Sequence, residues 1–204
     1  MHTDSTHVKP GTKAAQSAAT RAKLLKVARK LFAKNGYSGV GTEEVVKRAG
    51  VTRGALYHQF ADKKDLFRAV YEQVEQELFE KVTSRAGTET DPVEELKAGA
   101  RYWLELCLEP EVQRIVLLDA PAVLGWHEWR EVGGRWGIQA IEGALTLCME
   151  IGAIERQPVS PLAHVLMGAL DEAALYVAES DDKAATSAEM SEVLERIIDT
   201  LRPR

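Results

Sequence analysis

From Thr20 to Leu201 the apolar residues return every three or four positions, and no run alternates with the two-residue rhythm of a half-buried strand. That pattern predicts an all-α chain. Leu24, Leu25, Ala28, Leu31 and Phe32 mark a first helix that Asn35-Gly36 stops. Thr42 caps a short second helix carrying Val45, Val46 and Ala49 inward and ending at Gly50, and Thr52 caps a third that runs through Phe60. Asp62 caps a long fourth helix with the stripe Leu66, Phe67, Val70, Tyr71, Val74, Leu78 and Val82.

Beyond the break at Gly87 to Pro92, a fifth helix carries Leu96, Ala100, Trp103, Leu104 and Cys107 and is ended by Glu109-Pro110. A short sixth helix is expected around Val112 to Leu118, with Asp119 to Trp126 as a loop. A seventh follows from about Trp126 to Ile151; Gly133-Gly134 offers a place to bend, and its second half is apolar nearly all round, which predicts a position inside a bundle. Pro161 to about Glu179 and about Ala184 to Leu201 complete nine helices. The expected organisation is a flexible basic arm over 1–18, a three-helix domain over 19–66, and a larger helical bundle over 67–204.

The net charge of −5 hides a division. Residues 1–68 hold 14 Lys and Arg against 5 Asp and Glu, whereas residues 69–204 hold the other 12 against 26. A basic segment attracts a phosphate backbone and an acidic remainder is repelled by it, so the asymmetry orients the molecule on nucleic acid. The two cysteines, Cys107 and Cys148, sit among apolar neighbours and read as small buried hydrophobes rather than a disulfide or zinc framework. No run is apolar and long enough to span a bilayer and the first residues lack the order of a signal peptide, so no membrane partner and a cytoplasmic location are expected.

Residues 43–60 read as helix-turn-helix. The turn needs a residue tolerant of positive φ, which Gly50 supplies, and Val45, Val46, Ala49, Val51, Leu56 and Phe60 are the apolar positions that fix the angle between the two helices. Thr52, Arg53, Gly54 and Ala55, at the start of the third helix, are small or hydrogen-bonding, as entry into a major groove demands.

Gly36-Tyr37, Thr42, Ala49-Gly50-Val51-Thr52, Leu56-Tyr57-His58, Phe60 and Lys63 with Leu66-Phe67 resemble, in order and spacing, the N-terminal signature of the TetR family of transcriptional regulators. The resemblance covers about residues 20–68. It implies Thr52, Arg53, Gly54 and Ala55 near base edges, Tyr57 and His58 reaching phosphates, Lys63 gripping a phosphate, and Thr42 facing the opposite phosphate wall. The pair Glu43-Glu44 departs from the family, which often carries a base there; carboxylates suit the helix dipole but repel DNA.

In the second domain Trp103, Cys107, Trp126, Met149, Met167 and Tyr176 are the candidate lining of an apolar effector pocket, although residues of this kind at helical spacing equally build ordinary core. No convergent nucleophile, acid–base pair or metal cluster is found, His127-Glu128 included, so neither an enzyme nor a cofactor is expected. The reading is a ligand-responsive regulator: a repressor on a palindromic double-stranded operator, released by a small apolar or amphipathic effector and dimeric through its last two helices. A DNA-binding regulator or adaptor without an effector is the alternative.

Overall fold

The computed structural model describes residues 11–203 except Ala86 and Thr88. Among these residues every regular element is helical: α1 Gly11–Asn35, α2 Thr42–Ala49, α3 Arg53–Gln59, α4 Lys63–Ser84, α5 Pro92–Leu106, a sixth helix α6 continuous over 110–124, α7 Trp126–Glu150, α8 Val159–Glu179 and α9 Lys183–Asp199. None of these helices is long and apolar enough to cross a membrane. The chain divides into two compact units, residues 1–70 and 71–204, with α4 spanning the division as one helix.

Unit one is α1 to α3 with the start of α4, closed over Leu24, Ala28, Phe32, Val45, Leu56, Phe60, Leu66 and Phe67, none more than 1% exposed. Phe67 meets Phe32 and Tyr37 edge to face at 5.2 and 5.1 Å between centroids. α1 begins nine residues before Thr20. Of the arm expected over 1–18, residues 1–10 lie outside the described set, and from Gly11 the chain is helical. Apolar periodicity misses these roughly two and a half turns because what favours helix there is propensity, through Ala14, Ala15, Ala18 and Ala19, together with a bond from Gln59 Nε2 to Ser17 Oγ at 2.6 Å.

The caps divide similarly. Thr52 Oγ1 accepts from Ala55 N–H at 3.2 Å and Asp62 Oδ1 from Asp65 N–H at 2.8 Å, both as expected. Thr42 is not the cap of α2. Gly41 takes that position without a side-chain bond, and its carbonyl accepts from Glu44 and Val45 N–H, which leaves Thr42 as the first helical residue.

In unit two α8 packs on α7 and α9, and α9 also on α5. Their shared core holds Val93, Leu145, Cys148, Met149, Ile154, Ala163, Leu166 and Ile198. The second half of α7 is not enclosed by the chain: Leu147 and neighbouring Ile151 are 52% and 60% exposed, because only one side of the helix meets α5 and α8. An ion network fastens the end of α9 to the start of α5. Arg202 Nη2 lies 2.8 Å from Asp91 and 2.9 Å from Glu94, and Lys97 Nζ bridges Glu94 at 3.0 Å and Asp199 at 3.1 Å.

The loop expected over Asp119 to Trp126 is instead the last part of α6. Pro110–Val112 opens that helix, Gln113–Asp119 widens into a π-turn, and Ala120–Leu124 continues it to Gly125, where φ is 90°. The widening fits Pro121 into the helix. Ala120 N–H reaches back to Ile115 O, so the Val116 carbonyl would look to residue 121 for its donor, and proline has none. The indole N–H of Trp129 on α7 fills that place at 3.0 Å. Trp129→Phe removes the donor and one ring of the buried indole, so it should destabilise unit two by at least about 1–3 kcal/mol, the cost of an unmet buried acceptor with a small cavity beside it, in urea denaturation followed by circular dichroism.

Candidate functional site

α3 is held by two side chains one turn apart. Leu56 and Phe60 are buried, which turns Thr52, Arg53, Gly54, Tyr57 and His58 outward; all five are exposed, and Ala55 is half-buried. Gly50 sets the approach, ending α2 at φ 65° with its N–H on Lys47 O and Val46 O. A side chain would find open space there, so the backbone angle alone favours glycine. Behind α3, the Arg21 guanidinium lies 4.4 Å from the Phe60 ring centroid and donates to Gln59 O at 3.2 Å.

The outward groups form a graded polar surface. Arg53 rests 5.5 Å from the Tyr57 ring centroid and 3.9 Å from Glu43 Oε1. Thr52 has its hydroxyl oxygen engaged by the cap and keeps its proton to donate. Lys63, at the first turn of α4, places its ammonium 4.1 Å over the Tyr37 ring, and the Tyr37 ring in turn stacks against Phe32 at 5.9 Å. The Gly36-Tyr37 part of the motif therefore supports a lysine from below. Every residue expected near DNA lies within unit one, and Thr42 and Lys63 are half-buried at helix starts.

A model of bacterial regulatory proteins of the tetR family matches residues 24–70, and one of the tetracyclin repressor-like C-terminal domain matches residues 93–201. The chain belongs to the tetR family. A crystal structure of a TetR-family transcriptional regulator from Pectobacterium atrosepticum is 36% identical, with 93% of this chain and 97% of that one covered and a TM-score of 0.84. The HTH-type transcriptional regulator AcrR of Shigella flexneri is 35% identical over 132 residues, 64% of this chain and 58% of that protein's length. The transcriptional repressor AcnR of Corynebacterium glutamicum is 27% identical over 187 residues, 91% of this chain and 94% of its own. This tetR-family chain is thus a DNA-binding transcriptional regulator.

In the regulator's second unit the six residues expected to line a pocket do not converge. Trp126 and Tyr176 are 57% and 59% exposed, since each lies on the outer side of its helix. Trp126 packs against Trp129 with the rings tilted by 46°, and Trp129, unlike Trp126, is buried. Met149 belongs to the close-packed core, and Met167 presses its Sδ and Cε against Gly137. Cys107 and Trp103 lie one turn apart at the end of α5: Cys107, which caps it, is fully buried near Glu75 and Asp171, and Trp103 keeps its indole N–H buried with no hydrogen-bond partner. A cleft of about 200 Å³ opens elsewhere, between the end of α4 and α5, and its walls are largely charged, with Arg85, Glu95, Arg101 and Glu105 among them.

What the sequence reading missed is the polar interior itself. Glu75, on the inward stripe of α4, is 6% exposed, and burial, reinforced by the nearby Asp171 carboxylate, pushes its carboxyl up to about 7. Asp171 on α8 is raised by burial to about 6, against the pull of Arg130, whose guanidinium donates to it at 2.9 Å. The Tyr71 hydroxyl donates to Trp129 O at 2.9 Å, and its hydrogen bond with Glu75 draws that carboxyl part of the way back down against the effect of burial. Gly133 makes room for this pair, because a Cβ there would lie 3.1 Å from Tyr71 Oη and 3.4 Å from Glu75 Oε1. Burial first, then Glu75 and Asp171, push the Cys107 thiol well up, so it is no reactive thiolate. The spacing Tyr71, Val74, Glu75, Leu78 was the available signal.

Both carboxyls are held above their unfolded values of 4.5 and 3.8. The folded chain keeps protons that the unfolded chain has lost, so stability falls as pH rises from about 4 through about 7. Glu75→Gln should therefore stabilise the protein by about 1–3 kcal/mol at pH 8, change it little at pH 5, and flatten the slope between, as read by urea denaturation at each pH.

Proposed function

We propose that the chain is a homodimeric repressor that reads a palindromic operator with α3 and lets go when a small amphipathic molecule enters unit two. The supporting observation is the outward face of α3, where Thr52, Arg53 and Gly54 are exposed beside a capped, rigidly seated helix start. Arg53 then reads a base edge with Thr52, Gly54 and Ala55 beside it; Tyr57 and His58 reach phosphates; Lys63 and the first turn of α2 at Thr42 grip the backbone. The repressor works in the cytoplasm, where its operator is.

Dimerisation uses α8 and α9. Their apolar stripes split between two duties: Leu166, Ala173, Leu194 and Ile198 are buried within the chain, while Val165, Tyr176, Val193 and Ile197 stand 44% to 68% exposed. Two such pairs facing each other across a two-fold axis make a four-helix interface, and the symmetry dictates a palindrome. Tyr176 is then an interface residue rather than a pocket residue.

The effector reading rests on the polar interior. A molecule with an apolar body and hydrogen-bonding ends would accept from the Trp103 indole, or from the Gln113 amide, which is also buried without a partner, and pack beside Cys107. The first turn of α4 carries Lys63 and its later turns carry Tyr71 and Glu75, so a ligand that repacks the later turns acts on a helix that also serves the operator. A preference of about 1–3 kcal/mol for the released conformation gives roughly 5- to 150-fold relief.

Selecting bound fragments from a random duplex pool tests the first reading, with a palindrome as the expected product. On that operator Arg53→Ala should cost about 1–3 kcal/mol and relax the preference at one base pair per half-site, whereas Lys63→Ala should weaken all sequences alike and lower the salt slope by about one per subunit. Unchanged ranking of operator variants with Arg53→Ala removes the base-reading role.

The dimer is checked by sedimentation of Val165→Glu with Ile197→Glu, expected to be monomeric at micromolar concentration where the parent is dimeric. For the effector, a ligand found by tryptophan quenching should bind more weakly when operator is present, by the same factor by which it weakens the operator. Equal ligand affinity with and without operator dismisses the coupling.

A further inference from the structure

The first turn of α2 carries Glu43 and Glu44, two carboxylates on a surface expected to meet phosphates. Their partners differ. Glu44 is tied to Arg48 one turn on, at 2.8 Å within the same helix. Glu43 reaches across the turn instead, and the cation it faces is Arg53, the first residue of α3, with Nη1 3.9 Å from Oε1.

Both side chains are largely in solvent, Arg53 at 69% and Glu43 at 86%, so the pair adds little to folding. Its effect is on where the guanidinium sits and what comes near it. The Tyr57 ring centroid stands 5.5 Å from it, and Gly54 next to it contributes no side chain. The guanidinium thus has both a carboxylate and an aromatic face beside it.

Two targets compete for such a group on a duplex. A phosphate is an anion, and drawing it to Arg53 brings it up against Glu43. A guanine edge offers two neutral acceptors, N7 and O6, to the planar fork and brings no charge with it. The carboxylate therefore penalises the sequence-blind use of Arg53 more than the sequence-reading use.

We propose that Glu43 is a positioning residue for operator specificity, acting through Arg53 by making phosphate a poor substitute for a guanine edge. This rests on the reading of α3 as the recognition helix. It also gives a function to the departure of Glu43 from the basic residue common at this place.

The test is a double-mutant cycle on the full chain, with affinities for the selected operator and for a scrambled duplex of the same length measured at two salt concentrations. Glu43→Gln keeps size and polarity and removes the charge. It should tighten the scrambled duplex by about tenfold and the operator by no more than about threefold, so that their ratio falls at least threefold. With Arg53→Ala already present, Glu43→Gln should shift both duplexes equally and leave the ratio alone.

Equal tightening of both duplexes by Glu43→Gln alone overturns the proposal, because a general charge repulsion would do that. A ratio that falls as far in the Arg53→Ala background also overturns it and assigns Glu43 a base contact of its own, such as a cytosine amine. A parent chain that binds operator and scrambled duplex alike removes both this proposal and the recognition-helix reading beneath it.

Discussion

Leu56, inside a helix of seven residues, and Phe60, which caps its end, are a turn apart, and their burial is what gives α3 a direction. So short a helix has too few internal hydrogen bonds to persist alone, so its order comes from packing on α1 and from the Thr52 cap. Phe60 is clamped in turn by Arg21 and by the core around Phe32 and Phe67. Every group presented outward inherits its position from these inward ones. That is why an exposed arginine, ordinarily free among many rotamers, can be argued about as a placed group.

Unit two shows a different economy. A close-packed apolar core under α5, α7, α8 and α9 coexists with a region where two acids, a phenol and a thiol share the interior. Burying carboxyls weakens a fold, and here the cost is reduced by keeping a proton on Glu75 and an arginine on Asp171. Proteins retain such arrangements where the interior has work to do besides cohesion. The indole N–H of Trp103 and the amide of Gln113 are buried as well, each with a donor that no hydrogen bond satisfies.

The fold was largely legible because helices advertise themselves through a three-to-four-residue rhythm, and eight of the nine carry it plainly; the turn at Gly50 was legible because one backbone angle calls for one residue type. What was not legible follows from the same rule. The first turns of α1 are helical by alanine propensity and have no stripe to read. Pro121 read as a breaker because nothing local announces a π-turn that accommodates it. Glu75 lay hidden among apolar neighbours because a charged side chain is ordinarily assigned to solvent, and the aromatic residues chosen for the pocket drew the eye to Trp126 and Tyr176, which tertiary packing leaves outside.

The widened turn of α6 ties two distant positions into one decision. Val116 O accepts from the Trp129 indole because residue 121 is a proline; a residue with a backbone N–H at 121 would offer Val116 O a local donor and leave the indole with nothing to bond. Neither change is neutral without the other. As sequences of this kind drift, the proline and the tryptophan should be lost or kept as a pair, and a chain carrying only one of them should show a repacked junction between α6 and α7.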